Sequence, residues 1–159
     1  MRSSTSAAAS PAEHTIPSGD VRFYVDESLM GIGKAYAVLR RDLTYPGHYA
    51  IPELMPGALD DEWIPVVAGM DLIAILRDKR TRTKPPERAA IIEHGLRCVL
   101  IAVKHDLSNW GYNRLLVKHR PRIEELAQEL GDGPWRISVL ETIVKYERLD
   151  PPDREAAAT

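Results

Sequence analysis

The sequence predicts an α/β fold, a three-layer α/β/α sandwich with a mostly parallel central sheet. Three observations predict it. Short apolar runs at 21–25, 72–76 and 97–103 alternate with segments of helical periodicity, the pattern of repeated strand–helix units. The second and third runs are almost wholly apolar, as strands covered on both faces are. Two of these strands stop on acid, Asp26-Glu27 after the first and Asp78 after the second. In open parallel sheets ligands sit at the carboxyl ends of the strands, which makes those acids the first place to look for chemistry.

Residues 1–19 are rich in Ser, Ala and Pro and offer little to bury, which predicts a disordered arm; residues 150–159 read as a disordered tail. Between them, 20–149 is long enough for one core and one domain. Val21, Phe23 and Val25 alternate as in a half-buried strand. Ile32, Ala35, Tyr36 and Leu39 share one face of a helix over 31–41, with Arg40 and Arg41 in its last turn, where cations complement the dipole. Tyr45-Pro46-Gly47-His48 breaks the chain, and Asp60-Asp61-Glu62 opens a short helix that Gly69 ends. After the strand at 72–76, Pro85-Pro86-Glu87 starts a helix carrying Ala89, Ile91, Ile92 and Leu96. A long helix follows over 108–130, with Trp110, Leu115, Leu116, Ile123, Leu126 and Leu130 available for one face and a break or kink at Pro121. Residues 135–144 close the fold as a strand or hairpin.

The net charge of -2 conceals local clustering of both signs, so the balance itself names no partner. The single Cys98 has no intramolecular disulfide partner and lies in an apolar run, consistent with a buried thiol and a reducing cytoplasm. No apolar run reaches membrane-span length and no secretory leader is evident, so a cytoplasmic protein without a membrane partner is expected. The histidines show no zinc spacing, and no Gly-x-Ser-x-Gly elbow is present. Gly31-Ile32-Gly33-Lys34 imitates a phosphate loop, but Ser28 and Ala35 stand where that motif needs glycine and a hydroxyl.

Right-handed crossovers would bring Asp26, Asp61 and Asp78 to one edge of the sheet. Carboxylates gathered there repel unless some are protonated or a cation lies between them, and hard oxygen donors select Mg2+ or Mn2+. Glu27 and Glu62 adjoin this set as further candidate ligands. The competing reading is local: Asp26 or Ser28 simply caps a helix, satisfying its free N–H groups. Arg77, Lys79, Arg80, Arg82 and Lys84 crowd around Asp78 and would draw a polyphosphate such as RNA to the same place, or else form a solvated basic loop. Lys104, His105, Arg114, Lys118, His119, Arg120 and Arg122 make a looser second patch.

Phe23-Tyr24-Val25-Asp26-Glu27-Ser28-Leu29 and its following helix, then Asp61-Glu62-Trp63-Ile64-Pro65, then Ile73-Ala74-Ile75-Leu76-Arg77-Asp78-Lys79-Arg80, resemble the PIN-like domains of bacterial VapC-type toxins over roughly residues 22–144. The resemblance implies a PIN-like fold, Mg2+- or Mn2+-dependent endoribonuclease activity and a co-encoded antitoxin, and carries the ligand role to Asp26, Asp61 and Asp78. It departs from the family pattern at Leu76, where Thr or Ser is usual, and at Arg80, where many relatives have a further acid; the early-helix glutamate is not identifiable. The expectation is therefore the ribonuclease toxin of a type II toxin–antitoxin pair, with homo-oligomerisation left open. The alternative is a catalytically inert PIN-like module that binds RNA or a protein. A phosphoacceptor domain using Asp26-Glu27, Asp78 and Lys104 ranks last, because only one strand separates the last two.

Overall fold

The computed structural model describes residues 21–77 and 85–149. The expected arm and tail, together with Asp78, Lys79, Arg80, Arg82 and Lys84, lie outside the described residues. In chain order the elements are β1 (Phe23–Val25), a single 3-10 turn (Glu27–Leu29), α1 (Met30–Leu39), β2 (Leu43–Thr44), α2 (Asp60–Gly69), β3 (Ile73–Arg77), α3 (Pro85–His94), β4 (Arg97–Ile101), α4 (Asn109–Leu130), β5 (Trp135–Val139) and β6 (Val144–Arg148). They form one six-stranded sheet in the order β2-β1-β3-β4-β5-β6. All pairings are parallel except β5 with β6, a hairpin.

Alternation of side chains across the strands builds two cores. Phe23, Val25, Ile73, Ile75, Val99, Ile101 and Ile137 face α1 and α4, packing on Ile32, Tyr36, Leu116, Ile123 and Leu126. Tyr24, Ala74, Leu76 and Cys98 face the other way, onto Trp63, Ile64, Val67 and Ile91 of α2 and α3. Three layers result. β1 is therefore covered on both faces, against the half-buried reading: Tyr24 is 1% exposed because its ring stacks on Trp63 at 5.5 Å between centroids.

The connection β1–α1–β2 steps toward one end of the sheet, and β4–α4–β5 steps toward the other, yet α1 and α4 lie on the same face. These two connections have opposite hands. The β3–α3–β4 connection steps like β4–α4–β5 but places its helix on the opposite face, so β4–α4–β5 is the odd one out. The expectation of uniformly right-handed crossovers thus fails at one connection. A physical reason lies in the hairpin: after β5 the chain returns as β6 rather than as a helix, and only α4 is left to cover Val99, Ile101, Ile137 and Val139.

Other departures are local. α4 runs through Pro121 without interruption, and Pro121 faces solvent, where water can satisfy the Val117 carbonyl that loses its partner. Leu39 and Trp110, expected in the core, are 77% and 70% exposed. Arg40 and Arg41 lie just beyond α1, where Arg40 pairs with Asp42 at 2.9 Å. Among the described residues no helix is long and apolar enough to cross a membrane.

Cys98 is buried in the α2/α3 core, and burial pushes its thiol pKa up to about 12, with Glu87 adding in the same direction. Only the thiolate attacks. The native chain should therefore resist a thiol-specific alkylating reagent at neutral pH and react stoichiometrically once unfolded; rapid native labelling would show that this core opens readily.

Candidate functional site

With strand order 2-1-3-4-5, the chain diverges from β1 and β3 to opposite sides, so the crevice at the carboxyl ends of these two strands is the topological switch point. Asp26 stands there. Its backbone N–H donates to the Ile75 carbonyl at 3.0 Å, extending the pairing of β1 with β3 by one residue. Asp26 Oδ2 accepts from Ser28 Oγ at 2.6 Å and from Ser28 N at 3.1 Å, capping the 3-10 turn. The cap reading is therefore correct for one oxygen, and Oδ1 takes neither bond.

α2 starts at the same edge, because a helix that returns to a parallel strand must begin at the carboxyl end of the sheet. Two contacts fix it. Glu27 Oε2 accepts from Gly57 N at 2.9 Å, tying the end of β1 to the loop before α2. Trp63, held on Tyr24, donates from Nε1 to Asp60 Oδ1 at 3.0 Å. Glu62 Oε2 accepts from the Leu59 N–H at 2.8 Å, satisfying one of the free donors of the first helical turn. Leu59 has no side-chain acceptor to return the bond, so this is half of a capping box. Asp61 is exposed and makes no hydrogen bond or ion pair among the described residues. Burial raises the Tyr24 hydroxyl pKa well above its ordinary range, with Asp26 and then Glu27 pushing the same way, so it stays a protonated donor at neutral pH.

Of the five acids singled out from sequence, the four among the described residues divide by role. Glu27 and Glu62 each commit an oxygen to a backbone N–H; Asp26 commits one and keeps one; Asp61 commits none. Among the described residues no three carboxylate, imidazole or thiol groups assemble into a cluster able to hold a metal ion, and Asp78 lies outside them. The donor set that remains, one oxygen of Asp26 and both of Asp61 at one sheet edge, has the hard-oxygen chemistry that suits Mg2+ or Mn2+.

Of the basic residues expected to meet RNA, Arg77 is described. Its guanidinium lies over the Tyr112 ring, donates to the Tyr112 hydroxyl at 3.4 Å and approaches Asp106 at 3.8 Å, so it is turned toward α4. The looser patch mostly dissolves into structural contacts. Arg120 and Arg122 pair with Glu124 and Glu125 on α4, Lys118 donates to the Glu141 carbonyl, and His119 is buried against the same carbonyl. Lys104, His105 and Arg114 remain exposed near the carboxyl edge. Gly31 and Gly33 sit inside α1, where their backbone belongs to the helix, so no phosphate loop forms.

The architecture is an α/β/α sandwich with the Asp26 carboxylate at its switch point. The chain belongs to the PIN-like domain family: the family model described as PIN like domain matches residues 21–103, from the start of β1 to just past β4, and so includes Asp26, Asp61 and Asp78. PIN domains are generally nucleases and typically use divalent metals. Neither the curated proteins nor the solved structures gave a match to this chain.

Proposed function

We propose that this chain is a metal-dependent endoribonuclease, acting in the cytoplasm as the toxin of a type II toxin–antitoxin pair and restrained by a cognate antitoxin protein. The observation that carries the nuclease part is the family match, whose span holds Asp26, Asp61 and Asp78. In this reading Asp26, through the oxygen not used in its cap, joins Asp61 and Asp78 in holding Mg2+ or Mn2+. Glu27 and Glu62 set the position of the α2 first turn and add negative field there. A divalent cation, when bound, supplies Lewis acidity toward the phosphodiester and lowers the pKa of coordinated water. Lys79, Arg80, Arg82 and Lys84 hold the RNA backbone, while Arg77 steadies the end of β3 against Tyr112. Lys104 and Arg114 extend this positive border along the carboxyl edge. The toxin role and the antitoxin rest on the resemblance to VapC-type toxins alone.

The test is cleavage of a single-stranded RNA by the purified full chain. Internal cuts with Mn2+ and none in chelator are expected; RNA that is bound but left intact with Mn2+ would select the inert PIN-like module. That second reading has one observation in its favour, the structural bonds already made by Asp26, Glu27 and Glu62. In chelator, Arg80→Ala with Arg82→Ala should reduce the log–log salt slope of RNA binding by roughly 1.4, at about 0.7 per phosphate contact. An unchanged slope would return the segment to a solvated loop.

A further inference from the structure

The loop after β2 holds three rings in a row. The centroids of Tyr45 and His48 are 4.9 Å apart at an interplanar angle of 48°, and those of His48 and Tyr49 are 4.2 Å apart at 40°. Tyr49 is 73% exposed, although the loop beneath it is firmly built. Ile51 and Leu54 are buried, and Gly47, at φ +89, donates from its N–H to the Leu54 carbonyl at 2.8 Å. His48 Nδ1 accepts from the Ala50 N–H at 3.3 Å and meets the buried Thr44 hydroxyl at 3.2 Å, which fixes the middle ring and leaves Nε2 to carry the proton. From Thr44 to Pro52 the chain has no Lys, Arg, Asp or Glu.

The position of this row matters. β2 lies directly beside β1, with Thr44 in register with Tyr24, so the loop leaves the sheet at the same carboxyl edge as Asp26. A Cβ on Gly33 would be 3.2 Å from both Tyr45 Cβ and Val25 Cβ, which measures how closely the first ring's residue approaches the end of β1. An uncharged, pre-ordered π-surface beside an acidic edge offers little to a phosphate and much to a base. Aromatic rings stack on unpaired bases of any sequence, whereas duplex bases are already stacked on one another.

We infer that Tyr45, His48 and Tyr49 form a stacking platform for unpaired bases of single-stranded RNA approaching the edge that carries Asp26, an inference that rests on the ribonuclease reading. Tyr49 supplies the open face, and the two inner rings hold it in place. The test is fluorescence anisotropy of the full chain in chelator, using a labelled oligouridylate and an abasic RNA of equal length. Tyr49→Ala should weaken oligouridylate binding by about 5- to 150-fold, the loss of one base–aromatic stack. Tyr49→Phe should retain it, and wild type should hold the abasic strand about as weakly as Tyr49→Ala holds oligouridylate. Equal affinity of wild type and Tyr49→Ala, as when the rings serve a protein partner instead, overturns the platform while the ribonuclease reading stands. Equal binding of base-bearing and abasic strands does the same. Absence of any RNA binding by wild type overturns the ribonuclease reading, and the platform with it.

Discussion

Asp26→Asn leaves the chain folded and lowers RNA cleavage by about 100-fold or more at fixed Mn2+. Changes in residues that only orient metal ligands typically cost 10- to 100-fold, and a direct ligand should lie at or beyond the upper end. The fold survives because asparagine keeps an oxygen to accept from the Ser28 N–H and hydroxyl, and Asn caps nearly as well as Asp. Asp61→Asn gives a second arm. Asp61 is exposed with no described bond, so its replacement should move stability by no more than about 0.5 kcal/mol while also depressing cleavage. Circular dichroism and cleavage rates on the same preparations check both; a folded Asp26→Asn that cuts at the wild-type rate removes Asp26 from the site.

Gly133→Ala destabilises the fold by about 3 kcal/mol, the upper end of the usual cost of overpacking. β4 and β5 enter the sheet side by side, and there the two chains approach through Gly95 and Gly133. A Cβ on Gly133 would lie 2.1 Å from the Gly95 carbonyl oxygen and 2.9 Å from its carbon. Both are backbone atoms and cannot swing aside, so the strands must separate where Trp135 N–H reaches the Leu96 carbonyl at 3.4 Å. Gly69→Ala is the contrast. Its Cβ would meet nothing within 4 Å at the end of α2, so the change should be neutral or stabilise by up to about 1 kcal/mol. Urea unfolding of the two variants beside wild type measures the difference; equal midpoints for Gly133→Ala and wild type would contradict the packing described at the entry to β5.

The parts of the fold visible in the sequence are those in which burial is written into composition. β3 and β4 are short apolar runs because both faces are covered, and α2 and α3 carry their start signals in Asp60-Asp61-Glu62 and Pro85-Pro86. β2 escapes notice because two residues have no periodicity to read. Tyr24 misleads about β1 because its burial depends on Trp63, nearly forty residues away, and no local pattern records that stack. The face taken by α4 is equally hidden, since it follows from β6 replacing a helix after β5.

The site divides in the same way. Acids at strand ends are legible, because strand and carboxylate adjoin in sequence. Their commitments are not: the Glu27 bond to Gly57 exists only once the loop over 45–59 folds back on β1, and the Glu62 bond to Leu59 competes with any outward role. Tyr45-Pro46-Gly47-His48 reads in sequence as a chain break, and turn signals say nothing about which rings the turn brings together, here Tyr45, His48 and Tyr49.

Thermal unfolding of wild type and Asp26→Asn, each in chelator and in Mn2+, tests the metal-holding role of Asp26 most directly. If Asp26, Asp61 and Asp78 share one cation, their carboxylates repel in its absence, so Asp26→Asn should melt at or above the wild-type temperature in chelator. Mn2+ should then raise the wild-type midpoint and raise the Asp26→Asn midpoint much less, since a ligand stabilises the native state by RT ln(1 + [L]/Kd) and the variant binds it more weakly. Equal Mn2+-induced shifts in the two proteins would contradict Asp26 as a ligand and, with it, the nuclease site proposed at this edge.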